Sequence, residues 1–115
     1  PFDASEGALA AESLLRMAQP PTALFCANDI QALGALFACQ KLGISVPADL
    51  SIVGFDDLPI VRVTSPPLTT VHVPAHEMGE AVSRALLHAS DTQSPIRPRR
   101  FEATLILRGS HSRPV

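Results

Sequence analysis

Apolar residues recur along this chain with two different periods, and each change of period marks a change of element. Ala11, Leu14, Leu15 and Ala18 repeat at helical spacing behind Asp3 and Glu6, which have capping-box spacing although Ser or Thr is the usual first member. The pattern predicts a first helix closed by Pro20-Pro21. "TALFCA", residues 22–27, is a continuous apolar run of strand length, as expected of a central parallel strand covered on both faces. Asn28 and Asp29 follow it, and either can cap a second helix that runs to about Leu42, with Gly43 placed to end it in a left-handed conformation.

That second helix is apolar on nearly every side, through Ile30, Ala32, Leu33, Ala35, Leu36, Phe37, Ala38 and Cys39. A helix lying on a sheet needs one apolar stripe, so the remaining faces predict cover from a second subunit or domain. "VPADL" predicts a turn, and "SIVGF" a second buried strand that ends at Asp56-Asp57. "LPIVRVTSPPLTTV" has no clean helical period, and Pro59, Pro66 and Pro67 divide it into loops and short extended pieces. From Pro74 a third helix, about 75–90, carries Met78, Val82, Ala85, Leu86 and Ala89 on one face. "SDTQSPIRP" reads as a loop. "FEATLILR" reads as a half-covered strand with Phe101, Ala103, Leu105 and Leu107 inward against Glu102, Thr104, Ile106 and Arg108.

Helix, strand, helix, strand and then a later helix and strand make an α/β chain, expected as a three-layer arrangement of helices about a parallel sheet. The consequence is positional. Asn28-Asp29 and Asp56-Asp57 both follow buried strands, and in a parallel sheet the carboxyl ends share one rim, where open α/β sheets bind ligands.

Composition narrows the classes. At 115 residues the chain is one domain or a piece of one, and 46% hydrophobic with 17% charged residues is globular composition. No apolar run approaches the roughly 20 residues of a membrane span. A formal charge of −2 argues against this stretch gripping a polyanion. Arg97, Arg99, Arg100, Arg108 and Arg113 crowd the end of the chain, and read as solvated charge on a terminal strand. Cys26 and Cys39, both in apolar surroundings, fit reduced thiols of a cytoplasmic protein. The opening "PFDASEGALA" lacks both an initiator Met and the pattern of a secretory signal, and reads as an internal start.

Candidate chemistry is sparse. Asp56 and Asp57 could be an acid/base pair or, with Asp29, hold a hard cation, but consecutive side chains point apart, and a turn-capping role is the plainer reading. His72 and His76 are four apart, beside Glu77, yet Pro74 interrupts any shared helix face and no third ligand follows, so no metal is expected. His88 and His111 read as surface residues. Phosphate-loop and dinucleotide fingerprints are absent and the serines have no nucleophile-elbow context, so neither a cofactor nor an enzyme is expected.

Four stretches, "PTALFCANDIQALGAL", "GISVPADLSIVGFDDLP", "SPPLTTVHVPAHEMG" and "EATLILRGS", together resemble, in order and spacing, the effector-binding core of transcription regulators of the lactose/galactose-repressor (LacI/GalR) family. The likeness covers about Pro21 to Ser110. It implies a periplasmic-binding-protein-like (type I) fold of two α/β subdomains joined by three crossovers, with an effector, often a sugar, in the cleft between them. Residues 1–115 would be its C-terminal part. Most of them would form the C-terminal subdomain, the helix at about 75–90 would pack in the N-terminal one, and segments near Val71–Ala75 and Arg97–Phe101 would be two of the crossovers. The DNA-binding headpiece would lie outside this stretch.

Carried over position by position, the resemblance implies effector contacts from Asn28 and Asp56. It also implies a dimer face that includes Asp29, Ala32, Leu33, Leu36 and Val63. One departure matters: where the family often has a ligand-binding Gln, this chain has Val73, which weakens sugar recognition. The expected protein is therefore a cytoplasmic, homodimeric repressor module that senses a small molecule. The rival is a solute-binding transport protein of the same fold, and an enzyme on this fold is a distant third.

Overall fold

The computed structural model describes residues 3–114. Its elements, in order, are α1 (Ala4–Leu15), β1 (Ala23–Phe25), α2 (Asp29–Leu42), β2 (Ser51–Val53), one 3-10 turn (Pro59–Arg62), β3 (Thr70–His72), α3 (Ala75–Thr92) and β4 (Thr104–Ile106). They form two compact units: the first runs to His72 and resumes at Leu105, and the second is Val73–Thr104.

In the first unit β1 and β2 pair in parallel, with Leu24 opposite Ile52 and Phe25 opposite Val53. Parallel bridges join Val53 to Thr69 and Asp56 to His72, so β3 runs alongside β2 in the same direction, and β3 in turn pairs with β4. The three parallel carboxyl ends thus lie together, as the α/β pattern requires. Ala32, Ala35, Leu36 and Cys39 of α2 pack with Leu24, Leu50, Ile52, Val61 and Leu68 to form the core. Among the described residues the sheet is covered on one face, so they do not supply the third layer expected of it. Leu24 is buried while Phe25 is 69% exposed, so the "TALFCA" run is not enclosed on both sides by the described residues.

α1 begins as expected: the Asp3 carboxylate accepts the Glu6 backbone N–H at 2.8 Å. It ends earlier, at Leu15 rather than at Pro20-Pro21. Met17 and Ala18 are exposed, so continuing the helix would bury nothing there. α2 is capped at both ends: the Asn28 side chain accepts the Gln31 N–H at 2.8 Å, and Gly43 takes φ 70 as a left-handed stop.

The all-round apolar surface of α2 has a source inside the chain. α1 crosses it closely, because Gly7 lies against the Gln31 backbone and Gly34 against the Ala4 carbonyl, with no room for a Cβ at either crossing. α1 and the sheet together bury seven of the 14 residues of α2, so cover from a second subunit or domain is not needed to account for its apolar surface. Phe37, 59% exposed, is the large apolar side chain left outside.

The last strand reverses its expected phase. Leu105 and Leu107 are exposed, while Ile106 and Arg108 turn inward. The reason is electrostatic: Arg108 has a buried carboxylate to reach, and its inward turn sets the alternation for the whole segment. In the second unit α3 extends through residues 90–92, where the sequence predicts a loop, and stops at Gln93 in a left-handed conformation, φ 55. Its apolar face is uncovered within the unit; Val82 and Leu86 are exposed.

Candidate functional site

The rim at the carboxyl ends is assembled around Asp29. Its backbone N–H donates to Phe55 O at 2.8 Å, which joins the segment after β1 to the segment after β2. Its carboxylate accepts the Leu58 N–H at 2.7 Å and the Thr70 hydroxyl at 2.6 Å, tying in β3. Gly54 makes this possible, since a Cβ there would overlap the Asp29 carboxylate. A fully buried carboxylate satisfied by two donors organises structure, because nothing from solvent can reach it.

Asn28 and Asp56 sit on the same rim and stay accessible. Asn28 is half-buried with its carbonyl committed to the helix cap, which leaves the amide N–H group to face outward. Asp56 is exposed, and among the described residues nothing hydrogen-bonds its carboxylate. Its backbone is held at φ 115 while its N–H donates to Val71 O at 2.9 Å. Non-glycine residues avoid this region, and such strain persists only where the surroundings enforce it. The desolvation it undergoes, together with the nearby Asp29 carboxylate, pushes the Asp56 carboxyl above the usual range. An accessible anion short of donors suits a ligand that brings hydroxyl groups.

Asp57 differs from its neighbour in burial and in partners. Its side chain is 6% exposed and bonded to Arg108 at 2.6 Å, the His72 ring at 3.0 Å and Arg62 at 3.3 Å. Burial works to raise its carboxyl, but the Arg108 and His72 hydrogen bonds and the charges of Arg108 and Arg62 outweigh it and hold the group low. The Arg108 guanidinium also donates to Leu68 O at 3.0 Å, so this arginine is a fixed structural cation and not the solvated charge expected of a terminal strand. His111, expected on the surface, has Nδ1 2.7 Å from the Thr69 hydroxyl.

The depressed Asp57 carboxyl fixes a pH dependence. A carboxylate whose folded-state pKa lies below its unfolded value stabilises the fold above the unfolded value, about 3.9, and loses that contribution as pH falls through the folded one. Urea unfolding of the full-length protein should therefore weaken between pH 5 and pH 3. Asp57→Asn should be less stable at pH 7 and fall less steeply over that window, and parallel curves for the two proteins would refute the assignment.

The remaining expected site residues are scattered. Val73 is half-buried and belongs to the second unit. Of the expected dimer face, Asp29 and Ala32 are 0% and Leu36 5% exposed, so they face the chain's own core and have no surface to offer a partner. Val63, 78% exposed, and the half-buried Leu33 remain accessible. Two clefts of the first unit, of about 170 and 150 Å³, are lined by neither Asn28 nor Asp56. Among the described residues no group of three His, Cys, Asp or Glu side chains could hold a metal ion. Burial, with small additions from Cys39 and Asp29, pushes the Cys26 thiol up to about 11, which makes it unreactive at neutral pH.

Comparison with known proteins shows the family and the fold. A family model described as a periplasmic binding protein-like domain matches residues 2–111. The HTH-type transcriptional regulator MalR of Streptomyces coelicolor is 46% identical over 91% of this chain. Among solved structures, the dimeric Lac repressor superposes with a TM-score of 0.91 at 32% identity, covering 98% of this chain and 42% of that one. A transcriptional regulator CelR–cellobiose complex gives 0.87 at 32% identity, covering 95% and 34%. The chain spans about a third of the length of the curated relatives it matches. These relatives are transcriptional regulators and not enzymes.

Proposed function

We propose, because the chain belongs to the periplasmic binding protein-like domain family in the form carried by LacI-family transcriptional regulators, that it senses a hydroxyl-rich small molecule and reports it to operator DNA. In this reading Asp56 and the Asn28 amide bind the effector, and DNA is held by a headpiece outside these residues. The helix α3 packs in the N-terminal subdomain, which suits its uncovered apolar face. The protein is a cytoplasmic homodimer whose contacts include Val63 and Leu33. Val73 adds no hydrogen bond, so the effector's remaining polar contacts come from outside this stretch.

The observation that carries the reading is the contrast on one rim. Asp29 and Asp57 are buried and saturated, while Asp56 is exposed, strained and unpaired. Asp56 is thus the acid on this rim that is free to bind. The test is thermal unfolding of the full-length protein with cellobiose, maltose and ribose. At 100 times its Kd a bound sugar should stabilise the folded state by about 2.7 kcal/mol, and Asp56→Ala should remove that shift. No shift with any of the three would sink sugar sensing.

A further inference from the structure

We propose that Arg108 is a positioning residue for Asp56, acting through Asp57; this rests on the reading of Asp56 as an effector contact. Asp56 and Asp57 are consecutive residues at positive φ, 115 and 58, and neither is a glycine. A chain left to itself would relax such a pair, so something must hold it. On one side Asp56 is fixed by its N–H bond to Val71 O at 2.9 Å. On the other, the Asp57 carboxylate is gripped from three elements: Arg108 beyond β4 at 2.6 Å, His72 of β3 at 3.0 Å and Arg62 of the 3-10 turn at 3.3 Å.

Of the three, Arg108 is built as an anchor. Its side chain is 16% exposed, against 46% for His72 and 54% for Arg62. One guanidinium nitrogen donates to Asp57 while the other donates to Leu68 O at 3.0 Å, and its backbone N–H donates to the Thr69 hydroxyl at 2.9 Å. Such a planar fork fixes direction as well as charge, which a lysine cannot do. The clamp also has a telling position in the chain. The first unit ends at His72 and resumes at Leu105, so His72 and Arg108 flank the two points where the chain leaves and re-enters it. A displacement of either segment therefore pulls on Asp57, and through it on the adjacent Asp56.

Hydrogen exchange by mass spectrometry on the full-length protein tests the clamp without knowledge of the effector. Arg108→Lys and Asp57→Asn should each speed exchange of the Asp56 and Leu58 amides by about tenfold while leaving the α2 amides within about twofold. The double variant should be no faster than the faster single one, since both remove the same contact. Unchanged Asp56 and Leu58 exchange in Arg108→Lys would overturn the proposal, and so would equal acceleration along α2, the mark of general loosening. Calorimetric binding of cellobiose, maltose and ribose separates the two readings. If Asp56→Asn leaves binding intact, the effector reading fails whatever the exchange result. If Asp56→Asn abolishes binding while Arg108→Lys preserves wild-type affinity, the positioning role fails and the effector reading stands.

Discussion

Replacing Asp56 by glycine in the full-length protein should weaken effector binding by at least about tenfold and at the same time make the protein more stable than its alanine counterpart. The two effects have separate causes. The carboxylate is the unpaired acceptor on the rim, and losing a charged hydrogen-bonding group from a ligand contact removes about 1.5–3 kcal/mol, or roughly 10- to 150-fold in affinity. The backbone, however, is held at φ 115, where a side chain costs about 1–3 kcal/mol and glycine does not. Asp56→Ala keeps the strain and loses the carboxylate; Asp56→Gly loses both. Glycine gives back about 0.5–1 kcal/mol through the greater freedom of its unfolded chain, so the expected advantage of Gly over Ala is about 1 kcal/mol. Urea midpoints for the two variants measure it, and fluorescence titration of each with the sugar that stabilises the parent protein measures the response. An Asp56→Gly protein that bound that sugar at wild-type affinity would remove Asp56 from the site.

The same loop shows how far the sequence could be read. The element order, the capping by Asp3 and Asn28, the stop at Gly43 and the shared rim followed from local rules, because caps, glycine stops and parallel connections depend on residues close in sequence. What escaped depends on partners far along the chain. Asp29 meets Thr70 and Leu58, and Asp57 meets Arg108, across separations that no periodicity reports. For the same reason the alternation in "FEATLILR" predicts the wrong phase. Alternation shows which residues share a face, but a buried carboxylate elsewhere decided which face turned inward. Signals were present in retrospect: a lone Gly54 beneath the strand end and an arginine closing an apolar alternation both mark a place where a charge needs room. The all-round apolarity of α2 misled differently. It predicts cover from a second subunit or domain because nothing local shows that Gly7 and Gly34 let α1 approach so closely.

That close approach carries the largest expected effect on stability. A Cβ at Gly34 would overlap the Ala4 carbonyl and crowd the Ala8 nitrogen, both of them backbone atoms of α1, so no rotamer change can relieve the contact. The helices must separate, and the contacts they lose include Ala11, Ala35 and Ala38, all core residues. Overpacking alone costs about 1–3 kcal/mol, and parting a small-residue crossing adds lost burial at about 25 cal/mol per Å², so Gly34→Ala should destabilise by about 3 kcal/mol or more. Helix propensity predicts the opposite sign, since alanine is favoured over glycine within a helix by about 1 kcal/mol. Urea unfolding of Gly34→Ala beside the parent, both as the full-length protein, decides between the two rules. If Gly34→Ala were as stable as the parent, the tight α1–α2 crossing would be wrong, and the question of what covers α2 would reopen in favour of a second subunit or domain.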